Sequence, residues 1–329
     1  MDIILNPTNR CNFKSEFCAA SNLMQSDQES KIVKRILKQY KDKLGQVIIN
    51  GGDPLMMDPS FYFDLLDYLK TLDHYVSISL TTNLYDFYKR PNRWEELFKD
   101  KRIGVITSFQ YGNKRKIGNG RVFDESLFMK IIDLFNYKIG YKPNFIAVID
   151  QSNEYSVLPT IRLAKNMGIK CKLNKAIVSG RQTDYYPRYT IYKHYIDIID
   201  NGLQEYEMNC ELLYKYFKGF PTYCPIDRDC YKNLRVLNPD YSMTTCSYTA
   251  ENYDREFALG SKDSNIETFP NTYDSIKKEC RKCQWFNLCN SCRIYIKEVK
   301  ENKDITNYCK EMKKILPVLK EKVLKAYDG

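Results

Sequence analysis

The sequence predicts an α/β protein: a partial (β/α)6 barrel, an open relative of the TIM barrel, followed by a small, loop-rich and cysteine-rich domain. Two observations predict this division. Roughly the first 180 residues alternate short apolar or β-branched runs with amphipathic stretches of helical period, the pattern of a parallel sheet covered by helices. Beyond them the alternation stops, and eight of the twelve cysteines fall between Cys224 and Cys309.

Six strands and five helices are expected in the barrel. The strands are predicted at 2–6, 47–50, 76–82, 103–108, 144–149 and 170–176, and the helices at 28–43, 58–72, 92–99, 124–136 and 155–167. A long helical stretch rich in Tyr and Ile follows at 189–217, and a Lys-rich helix is predicted at 306–326. We therefore divide the chain into a barrel (1–188), a helical connector (189–220) and a cysteine-rich domain (221–329).

Composition excludes several classes of protein. A hydrophobic fraction of 43% and a charged fraction of 28% are typical of a globular chain. Neither a signal peptide nor an apolar run of transmembrane length is visible, so we expect a soluble, cytoplasmic protein without membrane contact. The formal charge of +10 is scattered rather than gathered into a basic stripe, which makes nucleic acid an unlikely partner and suits an acidic electron donor.

Twelve cysteines in a chain without a secretion signal indicate metal or redox chemistry rather than disulfides. The C-terminal spacing is Cys280-x2-Cys283-x5-Cys289-x2-Cys292, with Cys309 after it and Cys224, Cys230 and Cys246 before it. Eight cysteines are enough for two four-thiolate sites. Soft thiolates select both zinc and iron–sulfur clusters, so the spacing alone leaves both metals open.

A second cysteine motif follows the first strand: Cys11-Asn12-Phe13-Lys14-Ser15-Glu16-Phe17-Cys18. Gly51-Gly52-Asp53-Pro54 follows the second strand. In barrels of parallel strands chemistry lies at the carboxyl ends of the strands, so these two loops should open on the same face.

With a cysteine at position 15, the N-terminal motif would be C-x3-C-x-aromatic-C. The chain resembles, over essentially its whole length, the radical S-adenosylmethionine (AdoMet) enzymes with a C-terminal SPASM domain, of the peptide or protein maturase type. The resemblance implies a [4Fe–4S] cluster on Cys11, Cys18 and the position of Ser15. It also implies two auxiliary [4Fe–4S] clusters, the first on Cys224, Cys230, Cys246 and Cys292 and the second on Cys280, Cys283, Cys289 and Cys309. The gap of two residues before Cys292 departs from the usual three.

The resemblance also implies a set of AdoMet contacts. The glycine motif of these enzymes ends in Glu, and this chain has Asp53 at that position. The departure is mild if the backbone makes the contact with AdoMet. Ser179-Gly180-Arg181, past strand six, is a further candidate to approach the nucleoside. The expected cofactor-binding residues are Phe17, Gly51, Gly52, Asp53, Thr82, Asn83, Ser108 and Gln110.

Ser15 is the anomaly in this pattern. A serine hydroxyl is a harder donor than a thiolate and normally stays protonated near neutral pH, so the first cluster should be held poorly. Three explanations compete: an engineered Cys→Ser inactivation, which we favour, a natural pseudoenzyme, and serine acting as an oxygen ligand.

The expected function is reductive cleavage of AdoMet to a 5′-deoxyadenosyl radical that abstracts hydrogen from a peptide or protein, with a flavodoxin- or ferredoxin-type donor. The modification would be a thioether, a carbon–carbon link or an oxidised residue. Alternatives are a non-catalytic scaffold and a sulfatase-maturase type of enzyme. Against the latter, its expected Asp after Cys246 is Ser247 here. We expect no leader-binding domain ahead of the barrel.

Several residues fit none of these sites. Cys171 and Cys210 are expected to be buried, inert thiols. His74 and His194 are too scattered to form a ligand pair. The tyrosines of the connector, Tyr185, Tyr186, Tyr189, Tyr192 and Tyr195, either line a peptide channel or, as we favour, mostly pack the connector onto the barrel.

Overall fold

The six predicted barrel strands lie side by side in chain order and run parallel in the computed structural model of the chain, which describes residues 1–21, 26–226, 230–246, 258–259 and 277–329. They are β1 (Asp2–Leu5), β2 (Gln46–Ile49), β3 (Ser77–Thr81), β4 (Ile103–Ser108), β5 (Asn144–Ile149) and β6 (Cys171–Lys175). Each prediction is confirmed to within one residue at either end. Because every neighbouring pair is parallel, all six carboxyl ends lie at one edge of the sheet.

Helices connect successive strands. They are α1 (Ser30–Leu37), α2 (Pro59–Lys70), α3 (Tyr85–Lys89), α4 (Pro91–Lys99), α5 (Glu125–Ile139) and α6 (Val157–Met167). The five predicted helices are all present, although 28–43 continues after α1 only as a 3-10 turn. The short α3 was not predicted. It is separate from α4 because Pro91 stands at the first position of the next helix and favours a new start there.

The connector differs from the single long helix predicted for 189–217. It consists of α7 (Arg188–Asp200) and α8 (Met208–Phe217), because the chain turns at Gly202, whose φ of 64° lies in the left-handed region. Glu207 caps α8 by accepting the Cys210 N–H, and its carboxylate also accepts the Leu173 N–H of β6 at 2.9 Å. The connector thereby covers the edge strand of the open barrel.

The C-terminal part is not as purely loop-rich as predicted. β7 (Leu234–Leu237) pairs in parallel with β1, and β8 (Met243–Thr244) and β9 (Ala258–Leu259) extend the same sheet. The described sheet therefore has the order β6-β5-β4-β3-β2-β1-β7-β8-β9. β7 was not predicted, because it lies beyond the alternation of strands and helices that marks the barrel strands.

Four helices complete the described structure: α9 (Cys230–Asn233), α10 (Phe286–Cys289), α11 (Arg293–Glu301) and α12 (Ile305–Asp328). The predicted C-terminal helix is thus confirmed as α12, which packs against α7 and α8. None of the helices in the described ranges combines the length and apolar character that a membrane crossing requires.

Candidate functional site

The cysteine loop, residues 9–18, follows β1 at the carboxyl edge of the sheet. Cys11 is exposed, Cys18 is half-buried, and Ser15 between them is buried, with 8% of its surface exposed. The Phe13 N–H donates to the Cys11 sulfur at 3.3 Å, and the Cys18 N–H donates to the Ser15 carbonyl at 3.3 Å. The loop therefore carries two thiols and one alcohol on a backbone that turns back on itself.

A segment after β4, residues 114–118, supports one side of the cysteine loop. The Lys14 N–H donates to the Lys116 carbonyl at 2.7 Å, and the Glu16 N–H donates to the Lys114 carbonyl at 2.9 Å. These two bonds flank Ser15 along the chain. The backbone around the anomalous residue is thus held in place by ordinary main-chain pairing.

The segment after β6 supports the other side. The Arg181 N–H donates to the Cys18 carbonyl at 3.3 Å, and the Ser179 hydroxyl donates to the Ala19 carbonyl at 3.1 Å. Gly180 has a φ of 61°, and a Cβ there would lie 2.5 Å from the Cys18 carbonyl oxygen. Residues 179–181 thus contact the cysteine loop and the residues that follow it, and their approach to a nucleoside stays a prediction.

The glycine loop packs directly beneath the cysteine loop. The Gly52 N–H donates to the Thr8 carbonyl at 2.9 Å, and the Asp53 N–H donates to the Arg10 carbonyl at 2.8 Å. A Cβ on Gly52 would lie 2.2 Å from the Arg10 oxygen, and one on Gly51 would lie 2.4 Å from the Thr8 oxygen. Both glycines are therefore required by the contact between these two loops.

Asp53 joins the glycine loop to the end of β3. Its buried carboxylate accepts hydrogen bonds from the Leu55 N–H, the Thr82 hydroxyl and the Asn83 N–H, at 2.8–2.9 Å. Burial raises the pKa of Asp53 to about 6, although these bonds oppose the rise. The Asn83 side-chain amide in turn donates to the Asn12 side chain at 2.7 Å. The side chains of Asp53 and Thr82 thus hold the glycine loop against the end of β3.

Arg115 is a site residue that the sequence did not reveal. It is buried, with 6% exposed, and its guanidinium donates to the Ser108 hydroxyl at the end of β4. The guanidinium carbon lies 5.2 Å from the Phe13 ring centre and 6.0 Å from that of Phe17. Burial lowers the pKa of Arg115 to about 10, and the interaction with the ionised forms of Cys11 and Asp53 opposes that effect. Its Nε has no hydrogen-bond partner among the described residues.

A polar groove, which we call the edge groove, runs along the carboxyl ends of β4 to β6. It consists of a cleft of about 390 Å³ beside Phe17 and Gln110 and a second cleft of about 210 Å³ beside Tyr185 and Tyr186. Both clefts share Lys114, Asp150 and Ser152. Lys114 and Asp150 form an ion pair at 2.7 Å, and the Gln110 side chain accepts the Val148 N–H at 3.4 Å.

Four C-terminal cysteines line a single small cavity of about 30 Å³. They are Cys280, Cys283, Cys289 and Cys309, the set that the resemblance assigns to the second auxiliary cluster. The other walls include Trp285, Phe286, Tyr308 and Met312. Thiols around a mostly apolar enclosure are the donor set that an iron–sulfur cluster takes, so these residues fit the group.

The structure brings together three of the four cysteines assigned to the first auxiliary cluster. Cys246 and Cys292 pack against one hydrophobic cluster around Tyr295. Burial, together with the nearby Cys224, raises the pKa of Cys292 to about 11. Cys230 instead packs against the β7 residues, and its neighbours 227–229 lie outside the described residues.

Comparison with solved structures identifies the architecture. The chain is similar to anSMEcpe with bound AdoMet, an anaerobic sulfatase-maturating enzyme. The match covers 98% of this chain and 99% of that one, at a TM-score of 0.67 and 16% identity. The structure of anSMEcpe with AdoMet and the Cp18Cys peptide matches over 97% of this chain and 99% of that one, at a TM-score of 0.66 and 18% identity. The chain has the radical AdoMet/SPASM fold.

A third structure with this fold is that of Streptococcus suis SuiB bound to the precursor peptide SuiA. The match covers 90% of this chain and 72% of SuiB, at a TM-score of 0.63 and 16% identity. The chain matches no protein-family model and no curated protein.

The cysteines of this fold suit either of two kinds of metal site. Within the described residues no three His, Cys, Asp or Glu side chains are grouped closely enough to bind one metal ion. Thiolates are donors to both zinc and iron–sulfur clusters, so the donor set alone does not choose between the two.

The remaining candidates pack as expected. Cys171 and Cys210 are fully buried, and burial raises the pKa of both thiols well above the usual range. Tyr192 and Tyr195 are buried between the connector and the barrel, which confirms a packing role for them. His194 makes a hydrogen bond with the Tyr186 hydroxyl and has a pKa lowered by burial.

Proposed function

We propose that this protein is a radical AdoMet enzyme that modifies a peptide or protein, and that Ser15 leaves it inactive as written. The observation that carries the proposal is the direct hydrogen bonding of the cysteine loop to both the glycine loop and the end of β3. When bound, a [4Fe–4S] cluster on this loop supplies the electron that cleaves AdoMet to methionine and a 5′-deoxyadenosyl radical, which takes hydrogen from the substrate.

The cysteine loop offers the donors for that cluster. Cys11 and Cys18 would hold two of its irons through thiolates. At the third position Ser15 presents an alcohol, a hard donor that normally stays protonated near neutral pH. Because the neighbouring backbone is held by 114–118 and 179–181, the defect is confined to one atom of one side chain.

Arg115 and Ser108 are proposed to bind the carboxylate of AdoMet. A guanidinium matches a carboxylate with two parallel hydrogen bonds, and the Arg115 Nε is a buried donor that lacks a protein partner within the described residues. The aromatic ring of Phe17, which borders the same guanidinium, would pack beside the adenine. The backbone of Gly51 and Gly52 would receive the amino group of the methionine part.

The edge groove is proposed to hold the substrate peptide. It begins at Phe17 of the cysteine loop and continues past the Lys114–Asp150 pair, so a bound chain would pass within reach of the AdoMet site. The polar side chains of this groove, including Gln151 and Ser152, can hydrogen-bond an extended backbone. The peptide complexes of anSMEcpe and SuiB support a peptide as the substrate class.

Two auxiliary clusters and a flavodoxin- or ferredoxin-type donor complete the proposal. The cysteine-lined cavity supports the second auxiliary site most directly. The likeness to anSMEcpe favours a sulfatase-maturase type of reaction, and Ser247 in place of the expected Asp argues against it. We therefore propose a thioether, a carbon–carbon link or an oxidised residue as the product.

Metal analysis of anaerobically reconstituted protein tests this proposal. The chain as written is expected to bind about eight irons and to absorb near 400 nm, and Ser15→Cys to bind about twelve. Ser15→Ala is the matched control, and its iron content should equal that of the chain as written. Stoichiometric zinc without iron would overturn the proposal and favour a zinc-stabilised scaffold.

A further inference from the structure

Arg188, the first residue of α7, lies between the loops that carry the two auxiliary sets of cysteines. Its side chain has only 3% of its surface exposed. One guanidinium nitrogen donates to the Leu288 carbonyl at 2.9 Å, directly before Cys289, and the other donates to the Pro225 carbonyl at 2.8 Å, directly after Cys224. A single side chain therefore spans from one cysteine set to the other.

The charge of Arg188 has no carboxylate to neutralise it among the described residues. Both hydrogen bonds go to neutral carbonyls, and the aromatic contacts are the Tyr295 ring at 4.9 Å and the Tyr192 ring at 5.2 Å. A buried arginine keeps its charge, and burial without a counter-charge is strongly unfavourable. Some other negative charge must therefore be expected next to it.

Cysteines of both sets lie beside Arg188. Its hydrogen bonds reach the residues next to Cys289 of the second set and Cys224 of the first, and its charge acts on Cys292 of the first set as well. A resting all-cysteine [4Fe–4S] cluster carries roughly two negative charges, so two clusters would surround this cation with anions. The second cation nearby, Lys175, is already paired with Glu298.

We propose that Arg188 is the shared counter-ion of the two auxiliary iron–sulfur sites and holds their reduction potentials up. The inference rests on the proposed function, because it requires that the two cysteine sets bind clusters. A positive charge near a cluster stabilises the reduced form, which carries one more negative charge. Arg188 thus acts as a positioning and tuning residue that keeps both clusters reducible by the same donor.

The test compares Arg188→Lys with Arg188→Gln. Both side chains can donate to a backbone carbonyl, and only lysine keeps the charge. Iron content and EPR-monitored redox titration of the auxiliary clusters are measured for each, with the exposed Arg162→Gln as the matched control. We expect Arg188→Gln to lower the reduced-to-oxidised ratio about tenfold at a fixed potential, which is 59 mV for one electron. In Arg188→Lys and Arg162→Gln this ratio should stay within about twofold of its value in the parent protein.

Each outcome decides the inference. Eight irons with unchanged potentials in Arg188→Gln would overturn it and leave the proposed function standing, whereas a parent protein without iron would overturn both. If Arg188→Gln fails to fold while Arg188→Lys keeps its clusters and potentials, the requirement for charge is supported. If Arg188→Lys also loses its clusters, the bridging of two carbonyls is what matters, and the counter-ion role is wrong.

Discussion

Replacing Gly52 by alanine would place a methyl group inside the backbone of the cysteine loop. The added Cβ would lie 2.2 Å from the Arg10 oxygen and 2.6 Å from the carbonyl carbon and oxygen of Asn9. These are main-chain atoms and cannot rotate away as a flexible side chain would. The Arg10 oxygen has to retreat by about 1.2 Å to reach the 3.4 Å at which ordinary contact begins.

The expected loss of stability follows from this displacement. Forcing a methyl group into a packed interior costs about 1–3 kcal/mol. The bonds from Gly52 to Thr8 and from Asp53 to Arg10 would weaken as well, at about 1 kcal/mol for a bond that is lost. We therefore expect Gly52→Ala to lower the free energy of unfolding of the barrel by about 2–4 kcal/mol without AdoMet present.

Urea unfolding followed by tryptophan fluorescence can measure this loss. The chain has two tryptophans, so a Trp285→Phe background leaves the fully buried Trp94 of the barrel as the sole reporter. Gly104→Ala is the matched control, because a Cβ on this exposed strand glycine meets only the Ile78 oxygen at 3.9 Å. If Gly52→Ala is as stable as Gly104→Ala, the glycine serves only to leave room for AdoMet, and the packing argument is wrong.

Three further predictions concern buried charged side chains. Burial raises the pKa of Glu207 from 4.5 to about 7, so its contribution to stability is complete below pH 4.5 and is lost as the pH rises through 7. The free energy of unfolding in urea should therefore fall by on the order of 3 kcal/mol between pH 5 and pH 8, and Glu207→Gln should remove this change. Glu298→Ala leaves the buried Lys175 charge without a counter-charge among the described residues, with only the Ala176 carbonyl as a hydrogen-bond partner, and should cost about 3–5 kcal/mol in urea unfolding. Lys175→Met with Glu298→Leu should recover most of this loss. Arg115→Ala in the Ser15→Cys protein should weaken AdoMet binding at least tenfold in equilibrium dialysis, and the exposed Arg121→Ala should leave it unchanged.

Each of these has an outcome that contradicts it. An unaltered pH profile in Glu207→Gln would show that this carboxyl is not responsible for the slope. A double variant of Lys175 and Glu298 no more stable than Glu298→Ala would show that packing, rather than the unpaired charge, dominates. Equal AdoMet affinity in the Arg115 and Arg121 variants would remove Arg115 from the site.

The barrel could be predicted from the sequence because each strand is a short apolar run between amphipathic helices. The fold-level prediction of a radical AdoMet/SPASM architecture is confirmed by the solved structures. β7 could not be recognised, because Leu234–Leu237 becomes a strand only by pairing with β1, more than two hundred residues earlier in the chain. Parallel pairing across such a separation leaves no local pattern in the sequence.

The site was predictable in its motifs and not in its internal contacts. Cys11 and Gly52 stand in recognisable motifs, so their loops could be placed at the carboxyl edge in advance. Asp53 was predicted to contact AdoMet, and only the structure shows its carboxylate bound to the end of β3. Arg115 and Arg188 belong to no motif, because their roles depend on which distant backbone and side-chain groups the fold brings beside them.

Release of 5′-deoxyadenosine by the Ser15→Cys protein tests the central claim most directly. The reconstituted protein, with AdoMet and a strong reductant under anaerobic conditions, is compared with the chain as written and with Ser15→Ala. We predict that the cysteine variant alone releases 5′-deoxyadenosine above the background of reductant and AdoMet. If Ser15→Cys binds its additional irons and still cleaves no AdoMet, the chain is a scaffold with the fold of an enzyme, and the proposed function is wrong.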